Sequence, residues 1–329
     1  MMSSSITDIN GLIVGHSQNN DALTGCTVVI CENGAIGGIS QRGGAPGTRE
    51  TDLLRPMHMI QKIHGILLTG GSAYGLDAAG GVMKFLEEKK IGFNSGKTVV
   101  PIVPTAVLFD LSIGDHTIRP DKEMGYKACL HASSNPPLQG NHGAGTGATV
   151  GKILGNSQMM KSGIGTASLE LSNKVTIGAL VAVNAFGDVI KEGEIIAGAR
   201  SIQKGPLNIG NGEYFADTLT VMQSFVGRKI LSIASRQNTV IGVIATNAKL
   251  NKEEVNYLAE MASTGIANSI RPAFTMFDGD TIFGLATGKV KSDINLVSAF
   301  APKVFSEAIY NAVRYADPLD MIPSYKSNG

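Results

Sequence analysis

Ser235-Arg-Gln-Asn238-Thr239-Val-Ile-Gly-Val-Ile-Ala-Thr-Asn247 runs a polar tetrapeptide straight into a β-branched stretch. Thr239–Thr246 reads as a buried strand, and the residue that opens it carries a hydroxyl. Two readings of that threonine stay open at this level. It is an ordinary strand start, or it is the nucleophile of a self-cleaving precursor. In the second reading Thr239 Oγ attacks the Asn238 carbonyl, and hydrolysis of the resulting ester leaves Thr239 as a new N-terminus. A free α-amine titrates at about 7.7–8.0. It serves as base for its own hydroxyl, and no histidine is needed.

Outward from this strand, β-type and helical patterns alternate. Downstream, Asn251 opens a helix with Glu254 in capping-box spacing and an apolar face of Val255, Leu258, Ala259, Ala262 and Ile266. Thr281–Ala286 follows as a strand, and Pro302 is expected at the first position of a last helix. Upstream, Thr176–Val183 and Asp188–Ile190 suggest a hairpin turning at Asn184-Ala-Phe-Gly-Asp. Thr98–Val103, bounded by prolines, suggests an edge strand or extended loop. Gly25–Cys31 reads as a strand ending in a Gly37-Gly38 turn, and Ile66–Thr69 as a strand turned by Gly70-Gly71-Ser72 into a helix through Leu86. Lys204–Asp217 is the least structured in character. With no linker and no compositional break, the expectation is one layered α/β (α+β) domain.

Composition narrows the function. Lys+Arg 28 against Asp+Glu 27 leaves no basic excess for a phosphate backbone, so nucleic acid is not an expected partner. Glycine reaches 41 of 329 residues, against an average near 7%, without a three-residue period, which favours tight turns and backbone-lined sites. The cysteines Cys26, Cys31 and Cys129 form no C-x-x-C pair and read as buried hydrophobes of a reducing compartment. The N-terminus has no basic and apolar leader pattern, and no apolar run approaches membrane-spanning length, so a cytoplasmic protein without membrane partners is expected. His16, His58, His64, His116, His131 and His142 lack metal-ligand spacing, so neither metal nor cofactor is expected. Gly70-Gly-Ser-Ala-Tyr74 lacks the second glycine of a nucleophile elbow. Gly145–Lys152 lacks both the leading glycine and the Ser/Thr of a phosphate loop.

Four longer stretches carry a family resemblance: Gly43-Gly-Ala-Pro-Gly-Thr-Arg-Glu-Thr-Asp-Leu-Leu54, Leu68-Thr-Gly-Gly-Ser-Ala-Tyr-Gly-Leu-Asp-Ala-Ala79, Gly143-Ala-Gly-Thr-Gly-Ala-Thr-Val-Gly-Lys152 and Val183-Asn-Ala-Phe-Gly-Asp188. From about residue 7 to 290 the chain resembles the D-aminopeptidase A / β-peptidyl aminopeptidase family. Asn238-Thr239 with the later Asp278-Gly-Asp280 is most similar to its nylon-oligomer (aminohexanoate-oligomer) hydrolase branch.

The resemblance implies a four-layer αββα sandwich, laid out like N-terminal-nucleophile hydrolases but differently connected. It also implies cleavage into residues 1–238 and 239–329, and usually a tetramer of processed protomers. The substrate it implies is a short oligoamide or peptide. Thr239 matches the nucleophile, Asp278 and Asp280 the acidic pair that holds the new ammonium and orients the hydroxyl, and Lys152 and Asn184 the remaining polar groups. Physical chemistry gives these matches sensible roles. The Asn184 amide suits a developing oxyanion, and Lys152, at a glycine-flanked helix start, lowers the amine pKa by like-charge repulsion. In a strand-like Asp-Gly-Asp both side chains face one way, so both are expected to reach Thr239. Phe109 stands where some relatives carry a substrate-contacting tyrosine, so that hydroxyl is missing here. The segment from about Lys204 to Asn238 is expected to lose order once cut. An N-acetyltransferase of the related fold and an uncleaved, non-catalytic paralogue are the alternatives.

Overall fold

Successive residues of the central strands point into different cores, which is how one sheet comes to separate several layers. The computed structural model describes residues 5–204, 207–209, 214–225, 227 and 238–328. Nine strands form its main sheet: β1 (Ile13–Asn19), β2 (Thr24–Gln41), β3 (Thr48–Arg49), β4 (Lys62–Thr69), β5 (Thr105–Val107), β6 (Ile164–Glu170), β7 (Thr176–Asn184), β8 (Thr239–Ala248) and β9 (Thr281–Val290). Their order is β6-β7-β8-β9-β2-β4-β5-β3, with β1 paired to β2. Four helices cover it: α1 (Ala79–Glu88), α2 (Lys122–Leu130), α3 (Lys252–Ser269) and α4 (Ile294–Arg314).

The long strand β2 belongs to both halves of the sheet. Residues 24–30 pair with β1, and residues 36–41 pair with β9. The halves face each other through Val29, Ile66 and Leu68 on one side and Leu180, Ile241, Val243 and Phe283 on the other. Behind the β6–β9 half, Val181, Val240 and Ile282 meet α3 and α4 through Val255, Ile266, Phe305 and Ile309. Behind the other half, Val28 and Leu67 meet α1 and α2 through Val82, Leu86 and Cys129. Three apolar interfaces between four layers give the expected αββα sandwich. The free thiols of Cys26, Cys31 and Cys129 are buried in it. Among the described residues, no helix is long and apolar enough to cross a membrane.

Some local expectations are corrected. Gly37-Gly38 makes no turn; both lie inside β2. A side chain at Gly38 would meet the backbone of Val255 and Asn256 at 2.6–2.8 Å, so the glycine admits α3 to the sheet. Gly284, its partner on β9, would meet the Val255 carbonyl at 2.7 Å. The hairpin after β7 does not form, because β6 and β8 already occupy both edges of β7. Asp188–Lys191 pairs with Glu194–Ala197 and with Ile270–Arg271.

Pro302 lies within α4, which starts earlier because Asp293 caps it, its carboxylate accepting from the Asn295 N–H at 2.7 Å. The apolar period reaches back to Val297, and that burial outweighs the missing Pro302 N–H. The first turns after Gly71, Ser72–Ala78, are 3-10 rather than α. Thr98–Val103 contributes only the two-residue strand Val99–Val100. The Asn251 capping box forms, with the Asn251 side chain accepting from Glu254 N–H at 2.9 Å. Much of Lys204–Asn238 lies outside the described residues. Within it, Leu207–Ile209 pairs with Ile202–Lys204, and Thr218–Gln223 is a short helix.

Because α3 rests on backbone at Gly38, Gly38→Ala should lower stability by about 1–3 kcal/mol. The check is a reduced urea midpoint at unchanged slope. An unchanged midpoint would mean that α3 moves aside freely.

Candidate active site

The register of two parallel strands assembles the site. Ile241 of β8 stands opposite Thr281 of β9, and the same offset continues upstream as a bridge between Asn238 and Asp278. On the other edge of β8, Asn184 closes the antiparallel ladder opposite Thr239. Thr239 therefore sits between Asn184 and the Asp278-Gly-Asp280 segment, at 6% exposure. The Asn238 carbonyl accepts from the Gly279 N–H at 3.0 Å and from the Thr239 hydroxyl. The nucleophile candidate and a backbone donor thus meet on the same carbonyl. A side chain at Gly279 would run into the Ala45 carbonyl, which explains glycine between the two aspartates. The Gly43–Gly47 loop is tied there by Ala45 N–H donating to the Asp278 carbonyl at 2.9 Å.

Asp280 and Asp278 have different partners. Asp280 Oδ1 accepts from the Val240 N–H at 2.6 Å, one residue past the nucleophile. Asp278 Oδ2 accepts from the Thr275 N–H and hydroxyl at 2.8 and 2.6 Å. Among the described residues neither bonds the Thr239 hydroxyl, contrary to expectation, because backbone and Thr275 donors take these carboxylate oxygens. Burial, with the Asp278 charge second, pushes Asp280 well above the usual carboxylate range. Burial also raises Asp278, against the Thr275 bonds and the Lys152 charge.

Lys152 and Asn184 form the opposite wall. The Lys152 ammonium donates to Asn184 Oδ1 at 2.7 Å and to the Asn184 carbonyl at 3.0 Å. The Thr149 N–H reaches the same Oδ1 at 3.1 Å, and Asn184 Nδ2 donates to the Phe109 carbonyl at 2.8 Å. Two expectations change here. Asn184 ends a strand rather than occupying a hairpin turn, and Lys152 follows the short strand Thr149–Val150 in a turn rather than at a helix start. Burial pulls Lys152 down to about 7, against the charges of Asp278 and Asp110.

Asp110 was not singled out by the sequence reading. It is buried, accepting from the Thr24 hydroxyl and the Gly71 N–H, both at 2.7 Å. Its signal was a lone carboxylate ending the apolar run Ala-Val-Leu-Phe109. It fixes the Gly70-Gly71-Ser72 turn, whose Ser72 and Ala73 line a cavity of about 210 Å³ with Ala45, Pro46, Phe109 and Thr239. All seven residues expected at the site are thereby brought together: Asn238, Thr239, Asn184, Lys152, Asp278, Asp280 and Phe109.

The fold thus sets a buried, strand-leading threonine beside paired carboxylates within a layered α/β body. The chain matches the model of peptidase family S58 over residues 4–324, and it belongs to that family. It is 39% identical to an uncharacterized aminopeptidase of Mycobacterium leprae, over 98% of this chain and 93% of that one. It is 28% identical to a 6-aminohexanoate-oligomer endohydrolase of Kocuria sp. (strain KY2), over 93% and 85%. In fold it is similar to the Burkholderia sp. beta-aminopeptidase, with TM-score 0.69 and 20% identity over 97% of this chain and 90% of that one. The l-aminopeptidase d-ala-esterase/amidase of Ochrobactrum anthropi also has TM-score 0.69, at 19% identity over 97% and 89%. The protein is a hydrolase of peptide or amide bonds.

The Lys152 environment has a measurable consequence. Its ammonium ordinarily titrates near 10.5 and here near 7. Between those values the unfolded chain binds more protons, so this group makes stability rise with pH. Lys152→Met should flatten that rise, read as urea midpoints at pH 7 and 9. An equal rise in both proteins would show that Lys152 titrates normally.

Proposed function

We propose that the chain is a self-processing, N-terminal-threonine hydrolase of short oligoamides or peptides. The observation that carries this reading is the Asn238 carbonyl, held by the Gly279 N–H while the Thr239 hydroxyl faces it. Attack of Oγ on that carbonyl carbon gives an oxyanion for which the Gly279 N–H is in place. As the bond from that carbon to the Thr239 nitrogen breaks, the hydroxyl proton passes to the nitrogen, leaving an ester and a free amine on Thr239, and water then releases Asn238 as a carboxylate. Residues 1–238 and 239–329 then stay folded together, because β8 lies between β7 and β9 in one sheet.

In the mature protein the free amine of Thr239 takes the hydroxyl proton, and Oγ attacks the substrate carbonyl. Asn184 and Lys152 border this position, and Phe109 forms part of the cavity wall. The cavity's uncharged lining suits a short linear unit, and relatives named as aminopeptidases and as 6-aminohexanoate-oligomer endohydrolases support that substrate class. The reading includes a cytoplasmic location and, as the resemblance implies, a tetramer. Reduced, buried cysteines support the location. Membership of a peptidase family weighs against acetyl transfer.

A denaturing gel tests the processing step. Dividing 34.3 kDa between the two parts gives fragments of roughly 25 and 10 kDa. Thr239→Ala should give one full-length band and no amine release from peptide or ω-amino-acid oligomers. Thr239→Ser should keep part of both activities, since it retains Oγ and loses only the rotamer-restricting methyl. An alanine variant that still splits would remove Thr239 as nucleophile, and an intact, inactive parent would favour the non-catalytic paralogue.

The two aspartates should separate the reactions. Before cleavage no ammonium exists at Thr239, and Asp280 is biased toward its neutral form, which an amide imitates. Asp280→Asn should therefore be cut normally yet turn over poorly. Parallel loss of cleavage and turnover would refute this division, and loss of neither would reduce the pair to a turn.

A further inference from the structure

Behind the site lies a second buried ammonium that no step above uses. Lys161 is fully buried. Its Nζ donates to the carbonyls of Gly145 and Ala148, both at 3.0 Å, and to that of Ser162. Among the described residues, no carboxylate lies within ion-pair distance of it. Burial pulls Lys161 down to about 7, and its three carbonyl acceptors match the three N–H donors of the ammonium form. Burying a charge this way costs several kcal/mol before its hydrogen bonds are counted. An apolar side chain of the same length would avoid that cost, so the cation calls for a role beyond filling space.

What it grips is the turn that carries one wall of the site. Gly145 and Ala148 belong to the Gly143–Lys152 stretch, and Thr149 pairs with Lys161 across a short antiparallel ladder. One residue past Ala148, the Thr149 N–H meets Asn184 Oδ1, the atom that also receives the Lys152 ammonium. The path runs from Lys161 through two carbonyls and one N–H to the Lys152–Asn184 pair. The backbone N–H of Lys161 donates to the Pro323 carbonyl at 2.8 Å, which anchors the cation's own strand to the C-terminal segment.

We propose that Lys161 is a positioning residue, an internal cation that closes the Gly145–Ala148 turn and so aims Asn184 and Lys152 at Thr239. This rests on the proposed role of that pair at the nucleophile.

The test replaces Lys161 in the full chain. Lys161→Met keeps the stem and removes the charge. A misplacement of about 1 Å at a reacting group costs on the order of 100-fold in rate. Turnover per processed protomer should therefore fall by about that factor with KM little changed. Lys161→Ala leaves a hole of propylammonium shape. Propylammonium should restore part of kcat, and propanol, equal in length and uncharged, should not. Parent-like kcat in Lys161→Met, or equal rescue by propanol, overturns the proposal. Should these variants not fold, Lys161→Gln, which donates hydrogen bonds without charge, should show the same loss in kcat, and parent-like turnover there overturns it too.

A readout independent of hydrolysis is the side-chain amide signal of Asn184 in the Thr239→Ala chain. It should shift when Lys161→Met is added, and an unmoved signal overturns the proposal. If Thr239→Ala itself still hydrolyses amides, the functional reading fails while the Asn184 signal still decides the role of Lys161.

Discussion

The hydrogen bond from Gly279 N–H to the Asn238 carbonyl is the contact on which the rest converges. It extends the parallel pairing of β8 with β9 past the end of β8 and joins the end of one candidate fragment to the other. A shift of one residue in that pairing would turn the side chains of Asp278 and Asp280 to the other face and bring a different N–H to Asn238. The register is strongly specified, since Ile241 and Val243 face one apolar core and Val240 and Ile244 another. Stability of the fold and geometry of the site are here the same constraint.

Much of this was legible from residues. Strand and helix periods located β8, α3 and β9, and the Asn251–Glu254 spacing located a cap. Two departures from local pattern share a cause, since glycine and proline do not always act as punctuation. Gly38, paired with Gly284, serves close approach of α3, a need set by a helix more than two hundred residues away from Gly38 in sequence. Pro302 is tolerated inside α4 because the apolar period around it is long enough to offset one missing bond. The hairpin after Asn184 failed for a topological reason. Local pattern cannot reveal that both edges of β7 are already taken.

The candidate residues of the site were legible through the family resemblance of the stretches that carry them, and the supporting groups were not. Lys161 bonds only the main chain, at Gly145, Ala148 and Ser162, and Asp110 bonds the Gly71 N–H beside one side-chain hydroxyl, that of Thr24. A charge that bonds main chain leaves no complementary residue elsewhere in the sequence to mark it. The only trace is a lone ionisable group amid apolar neighbours, which also describes many ordinary surface positions.

Charge balance links the site to the proposed cleavage. Asp110, Asp278 and Asp280 lie buried around Thr239 and its supporting wall, with the ammoniums of Lys152 and Lys161 as counter-charges. Among these carboxyls, Asp280 is the one held well above the usual range, toward its protonated form. Burial and the neighbouring Asp278 both press Asp280 toward that protonated form. On the proposed reading, cleavage adds an ammonium at Thr239, beside a carboxyl already bonded to the next N–H, and a carboxylate at Asn238. The new ammonium beside Asp280 favours release of the Asp280 proton. On that reading the acidic pair divides its work: Asp278 holds its loop through Thr275, and Asp280 changes its charge when the chain is cut.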